Sequence, residues 1–372
     1  MGKKLLILAN HFATIYKFRK ELVSKLVEEG YEVAISLPFS QDIHKIKDLG
    51  VKVIDTKVDR KSINPIKDLK LLNDYRKIIK NEKPDIVLAY TIKCNIYGGM
   101  ACRFYDIPFM ANVTGLGSAY HRGGFIKNIV SNLYKIGLKT AKGVFFENTA
   151  NAQVLIDDKT INNKQAIVLK GAGVNLQKFQ YCEMPSGNIV KFLFIGRIMA
   201  EKGVNELFEA IKRIKKDYSN VEFSFIGWFE EDYKNLIEEL QSEGLIKYYG
   251  YQEDVTPFIR DSHCVVLPSY HEGMANVLLE GAAMGRALIT SDIYGCREAV
   301  VENISGWTCQ VKNSEDLYEK IRMFVDIDFE KKVDMGREGR RYMEDIFDKD
   351  KVVEDTVEEI STMMDGEVLS YA

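Results

Sequence analysis

Nothing in this chain offers a covalent or metal scaffold. The six cysteines, Cys94, Cys102, Cys182, Cys264, Cys296 and Cys309, form no C-x-x-C pair, and none stands at zinc-ligand spacing from a histidine. Free thiols are therefore expected, which fits a reducing cytoplasm. Basic charge is not in excess either. A formal net charge of -3 excludes a general nucleic-acid binder, whose whole binding face would be cationic. No Pro/Gly/Ser-rich or low-complexity tract is present to suggest a disordered tail. The N-terminal apolar run Leu5-Leu6-Ile7-Leu8 reaches Asn10-His11 too soon for a signal sequence or a membrane span, and reads instead as a buried first strand.

What the chain does have is material for two cores. At 372 residues, 46% of them hydrophobic, it exceeds what a single core of ordinary size needs. Short apolar runs at Leu5–Ala9, Val33–Leu37, Val51–Asp55, Ile86–Tyr90, Phe109–Val113, Val144–Glu147 and Ile167–Lys170 alternate with amphipathic stretches such as Tyr16–Glu29 and Ile66–Asn81. That alternation predicts a parallel sheet covered on both faces. The pattern breaks near Glu183–Asn188 and restarts at Lys191–Gly196. Strands follow at Val221–Ile226, Lys247–Tyr249, Cys264–Pro268 and Ala287–Thr290, separated by helices including Val204–Lys216 and Asn276–Met284. Asn313 gives an N-cap signal for a further helix. The expected architecture is α/β with two doubly wound domains, 1–184 and 185–345, and a C-terminal helical segment, 346–372, placed to pack back on the first domain. Ligand sites in such sheets lie at the carboxyl ends of the strands, so a cleft between two such edges suits a two-substrate transfer.

Two clusters carry chemistry. Gly196-Arg197-Ile198-Met199-Ala200-Glu201-Lys202-Gly203 lies between a strand end and the next helix, where glycine allows close backbone approach and Arg197 and Lys202 suit a diphosphate. A solvated loop with helix-capping charges would show the same residues. The second cluster is His271-Glu272-Gly273-Met274-Ala275-Asn276, running into a helix whose unpaired N–H groups and positive dipole end suit an anion. Glu280, about one turn into that helix, is placed to bind a vicinal diol such as ribose, and Glu272 to hold sugar hydroxyls. Both clusters follow strands of one sheet, at its same edge.

Gly196-Arg197 with Glu201-Lys202-Gly203, then Ser269-x-x-Glu272-Gly273 with Glu280 and Gly285, resembles the signature of the family 4 retaining glycosyltransferases, which have the GT-B fold of two Rossmann-like domains facing a cleft. Ser291-Asp292-Ile293-Tyr294-Gly295-Cys296-Arg297-Glu298 and Gly306 also suit that pattern, so the resemblance covers nearly the whole second domain. It implies a nucleotide-diphosphate-sugar donor, most simply uridine-linked, retention of anomeric configuration, and no cofactor or obligatory metal. By position it assigns Arg197 and Lys202 to the donor diphosphate, Glu280 to the ribose, Glu272 to the transferred sugar, and the backbone at Gly273, Met274, Ala275 and Asn276 to phosphate and sugar. Front-face substitution follows, with leaving-group charge carried by Arg197, Lys202 and the helix terminus.

The first domain matches less closely, because its β1 loop, Asn10-His11-Phe12-Ala13-Thr14, lacks the glycine pair of many relatives. Phe18-Arg19 and Asn112-Val113-Thr114-Gly115-Leu116-Gly117-Ser118 are similar to the subset extending polyprenyl-diphosphate-linked or surface glycans. Acceptor-side candidates are His11, Arg19, Thr114, Gly115 and His121. Asp326-Ile327-Asp328 reads as a solvated turn rather than a metal motif. Arg122–Lys142 carries five cations and no acid among apolar residues, which suits either docking on an anionic membrane face or an amphipathic helix burying its apolar side. The reading is a transferase acting on a glycan or lipid-linked saccharide at the inner membrane face. Its rivals are a sugar-nucleotide 2-epimerase of similar fold and a non-enzymatic sugar-nucleotide-binding protein.

Overall fold

The apolar runs become two all-parallel sheets in a computed structural model that describes residues 2–59, 64–116 and 124–365. In the first, β1 (Lys4–Leu8), β2 (Glu32–Leu37), β3 (Lys52–Asp55), β4 (Ile86–Tyr90), β5 (Phe109–Val113), β6 (Gly143–Phe146) and β7 (Ala166–Val168) lie in the order β3-β2-β1-β4-β5-β6-β7. In the second, β8 (Val190–Ile195), β9 (Val221–Ile226), β10 (Lys247–Tyr248), β11 (Cys264–Leu267), β12 (Ala287–Ser291) and β13 (Gly306–Cys309) lie in the order β10-β9-β8-β11-β12-β13. Each central strand is buried on both faces, which is why it reads as a continuous apolar run. The strand order turns at β1/β4 and at β8/β11, the switch points where doubly wound sheets bind ligands.

Not every element was expected. β13 is short, glycine-started and half polar, and gives no apolar run to read; Gly306 is required there because a Cβ would stand 2.1 Å from the Leu288 carbonyl oxygen. The stretch Tyr16–Glu29 takes in the last residue of α1 (Phe12–Tyr16), a break, and α2 (Lys20–Glu28). Arg19 leaves helical geometry between them, at φ -133, and its guanidinium runs inward to Glu147. Helices α3 (Ile92–Arg103) and α4 (Gly124–Leu138) cover the other face of this sheet. In the second unit, α5 (Val204–Asp217) follows β8, and α6 (Asn276–Ala283) follows β11. Stacked pairs Phe192/Phe223 and Phe194/Phe225, at 4.8 and 5.2 Å between ring centres, lock β8 to β9 and fix the strand whose end carries Arg197.

The chain divides into Met1–Ala172 with Asp350–Ala372, and Gly173–Lys349. The crossing at Ala172/Gly173 lies earlier than the expected 184/185, because residues 173–184 already pack on the second core. Val174 and Phe179 are buried in it, Val174 N–H donates to Phe347 O, and the fully buried Arg286 donates to the carbonyls of Cys182 and Glu183. The last helix, α7 (Lys349–Asp365), places Val353, Val357 and Ile360 in the core beneath β1.

Candidate functional site

Gly196 follows β8 and the chain turns through a single 3₁₀ turn, Ala200–Lys202, into α5. Gly203 makes that junction possible. It takes φ +69, and a Cβ there would stand 2.0 Å from the Pro268 carbonyl oxygen, so the turn carrying Lys202 lies directly on the end of β11. Tyr270 N–H donates to Glu201 O at 2.9 Å, and the Tyr270 hydroxyl donates to the Glu206 carboxylate at 2.7 Å. The two clusters, about seventy residues apart, are thus laced together by backbone and side chain.

At their centre Lys202 and Glu272 form an ion pair whose side chains are only 16% and 13% exposed. Ser269, fully buried, donates its hydroxyl to the same Glu272 oxygen at 2.7 Å. A pair this desolvated is favourable only where further hydrogen bonds complete it, and Ser269 supplies one. In the sequence Ser269 is marked only by its spacing, three residues before Glu272. Arg197 is more open, at 42%, with a guanidinium nitrogen 3.8 Å from Glu230, which also accepts from the Trp228 indole N–H at 3.3 Å.

Helix α6 begins at Asn276 with Ala275 at its N-cap and no side chain capping it. Ala275 N–H donates to Gly295 O at 2.7 Å and Asn276 N–H to Met274 O at 3.0 Å. Met274 and Ala275 are buried, while Gly273, Asn276 and Glu280 are half-buried. Asn276 and Glu280, four apart, share one face of the helix. The arrangement therefore offers two cations, two carboxylates and a positive helix end within one loop system. Chemically, such a set is able to bind a phosphorylated polyol and to stabilise negative charge on a departing phosphate.

The first-unit candidates are dispersed. His11 caps α1, its Nδ1 accepting from Ala13 N–H at 3.1 Å. Arg19 is buried, donating to Glu147 at 2.8 Å and to Phe18 O at 3.1 Å, with its guanidinium 5.5 Å from the centre of the Tyr90 ring. Thr114 and Gly115 are half-buried after β5, with Gly115 at φ +149. His121, Gly117, Ser118 and Arg122 lie outside the described residues. Helix α4 turns Val130, Tyr134 and Leu138 into the core, and Gly137 presses on the backbone of Ile96, where a Cβ would come within 2.6 Å; Lys139 and Lys142, just beyond it, are exposed. Asp326 accepts from the Tyr218 hydroxyl at 2.6 Å and Asp328 caps the helix Phe329–Ile346. Among the described residues no group of three or more side chains is placed to hold a metal ion, and no helix is long and apolar enough to cross a membrane.

Residues 4–148 match the family model described as Glycosyl transferase 4-like, and residues 186–342 match Glycosyl transferases group 1. The chain is 34% identical, over 84% of its length and 87% of the relative's, to an N,N'-diacetylbacillosaminyl-diphospho-undecaprenol alpha-1,3-N-acetylgalactosaminyltransferase of Campylobacter jejuni. It is 26% identical to a UDP-Gal:alpha-D-GlcNAc-diphosphoundecaprenol alpha-1,3-galactosyltransferase of Escherichia coli, over 69% of this chain and 67% of that one. Among solved structures, a glycosyltransferase from Rickettsia africae superposes with a TM-score of 0.79 at 19% identity, covering 98% of both chains. Anabaena HepE in complex with UDP and glucose superposes with 0.78 at 15% identity, over 97% of this chain and 100% of that one.

Proposed function

This chain belongs to the glycosyltransferase family of those two models, with the GT-B fold, and on that premise we propose that it moves a hexose or N-acetylhexosamine from a uridine-diphosphate sugar to a polyprenyl-diphosphate-linked saccharide. The observation that carries the donor half is the Lys202–Glu272–Ser269 cluster beside the uncapped start of α6. Arg197 and Lys202 hold the diphosphate, the N-terminal end of α6 adds its dipole, Glu280 takes the ribose and Glu272 the sugar. The acceptor half is supported by the two undecaprenol-linked relatives.

In the reaction the bond from the anomeric carbon to the diphosphate breaks. The acceptor hydroxyl oxygen bonds to that carbon on the face the diphosphate leaves, and its proton passes to the departing phosphate oxygen, so configuration is retained. The two cations and the helix end meet the developing negative charge in a partly desolvated site, where fixed charges act most strongly. No metal ion is needed in this scheme. The basic residues Lys127, Lys135, Lys139 and Lys142 on and beyond α4 hold the enzyme at an anionic inner membrane face by charge, while Val130, Tyr134 and Leu138 of that helix are spent on the core. The test is a panel of nucleotide sugars with an undecaprenyl-diphosphate-linked saccharide, run with and without excess EDTA and followed by product analysis. Transfer with retention in EDTA is expected. An epimerised sugar nucleotide formed without acceptor, or a strict metal requirement, would overturn the reading.

A further inference from the structure

The donor-binding loop is braced by a residue without a side chain, Gly295. Gly295 takes φ +86 and lies so close beneath the loop that a Cβ would stand 2.6 Å from the Gly273 carbonyl oxygen and 2.8 Å from that of Glu272. Its carbonyl accepts Ala275 N–H at 2.7 Å, and its own N–H donates to the Glu298 carboxylate, also at 2.7 Å. Glu298 sits half-buried on the 3₁₀ turn Arg297–Ala299, between fully buried Cys296 and Ala299. One backbone residue therefore touches Glu272, Gly273 and Ala275, and one carboxylate fixes that residue.

We propose that Glu298 is a positioning residue for donor binding. By holding Gly295 it sets the height of the Glu272–Ala275 backbone, and so the place at which the Glu272 carboxylate and the start of α6 meet the diphosphate and sugar. The proposal rests on the donor reading above. A backbone N–H bonded to a carboxylate is among the stronger hydrogen bonds, and sub-ångström displacement of a binding loop is felt in affinity well before it is felt in folding. What matters here is reach: Gln keeps an acceptor oxygen at the same distance, whereas Asp keeps the charge but falls short by about 1.5 Å, one carbon–carbon bond.

The experiment measures calorimetric affinity for uridine diphosphate, and the KM for donor and for acceptor, in the full chain with Glu298→Gln, Glu298→Asp and Glu298→Ala. Glu298→Ala and Glu298→Asp are expected to weaken uridine diphosphate and raise donor KM on the order of tenfold, with acceptor KM unchanged. Glu298→Gln should stay within about threefold of the parent, its amide oxygen taking the same N–H. Should Glu298→Ala not fold, the Gln and Asp pair alone decides. Parental affinity in Glu298→Asp, or a loss in Glu298→Gln that Asp does not share, overturns the proposal. A parent chain that binds no uridine diphosphate overturns instead the donor reading beneath it.

Discussion

Ser269 Oγ stands 2.7 Å from Glu272 Oε1, the same oxygen that takes the Lys202 ammonium, so one carboxylate atom is shared by a hydroxyl and a cation from a different strand end. Lys202 has three donor hydrogens, and holding Glu272 uses one of them. It is thus able to bridge the carboxylate to a phosphate oxygen rather than choose between them.

From that geometry Lys202→Ala loses on the order of 10²-fold or more in turnover, as deletion of a preorganised charge stabiliser does, and Arg197→Ala behaves alike. Circular dichroism should show the fold intact, because both side chains sit in loops after β8. Near-normal initial rates in the double variant would remove both residues from the donor site.

The pair Arg19–Glu147 behaves differently, since each side chain is only 8% exposed and neither is open to solvent. Arg19→Met removes the cation beside the buried Glu147 carboxylate and should lower the unfolding free energy of the first unit by about 3–5 kcal/mol, read from its denaturant transition. Arg19→Met with Glu147→Leu, which removes both charges, should recover most of it. If the double variant is as unstable as the sum of the singles, the pair is not what makes Arg19 matter.

That pair also marks where reading a sequence stops. The start of α6 was legible at Asn276 because glycine, small residues and an apolar helical run meet there in sequence. The strands β4 and β5 were legible to the residue, being apolar on both faces. Glu147 lies 128 residues from Arg19, and no local pattern joins them. Pro185-Ser186-Gly187 has the composition of a linker yet only leads into β8, whereas the chain crosses at Gly173, whose φ of +66 and tight packing on Lys349 leave no compositional trace. Brace contacts such as Glu298 to Gly295 are short in sequence, but what they hold is more than twenty residues away.

Charge reversal tests the membrane contact. With Val130, Tyr134 and Leu138 of α4 committed to the core, binding to anionic vesicles should depend chiefly on charge, falling as salt rises and falling again in Lys127→Glu/Lys135→Glu. Cosedimentation with phosphatidylglycerol vesicles at two ionic strengths reads both effects. Binding that ignores both would assign α4 a purely internal role.

Glu272 and Glu280 provide the sharpest test, because they share a motif and are asked to do different things. Glu280, in the second turn of α6, is assigned to the ribose, which the free nucleotide and the intact donor both carry. Glu280→Ala should therefore weaken uridine diphosphate and the donor sugar nucleotide by similar factors. Glu272 is assigned to the transferred sugar, so Glu272→Ala should leave the affinity for uridine diphosphate nearly intact. Its loss should appear in turnover, since contacts realised mainly at the reacting sugar act in the transition state. Removing Glu272 also frees Lys202, whose charge is then wholly available to the diphosphate. Free-nucleotide affinity in Glu272→Ala should thus be equal to the parent's or tighter, but not weaker. Calorimetry with uridine diphosphate beside initial rates measures both, and the assignment fails if Glu272→Ala abolishes nucleotide binding in a folded protein while Glu280→Ala changes nothing.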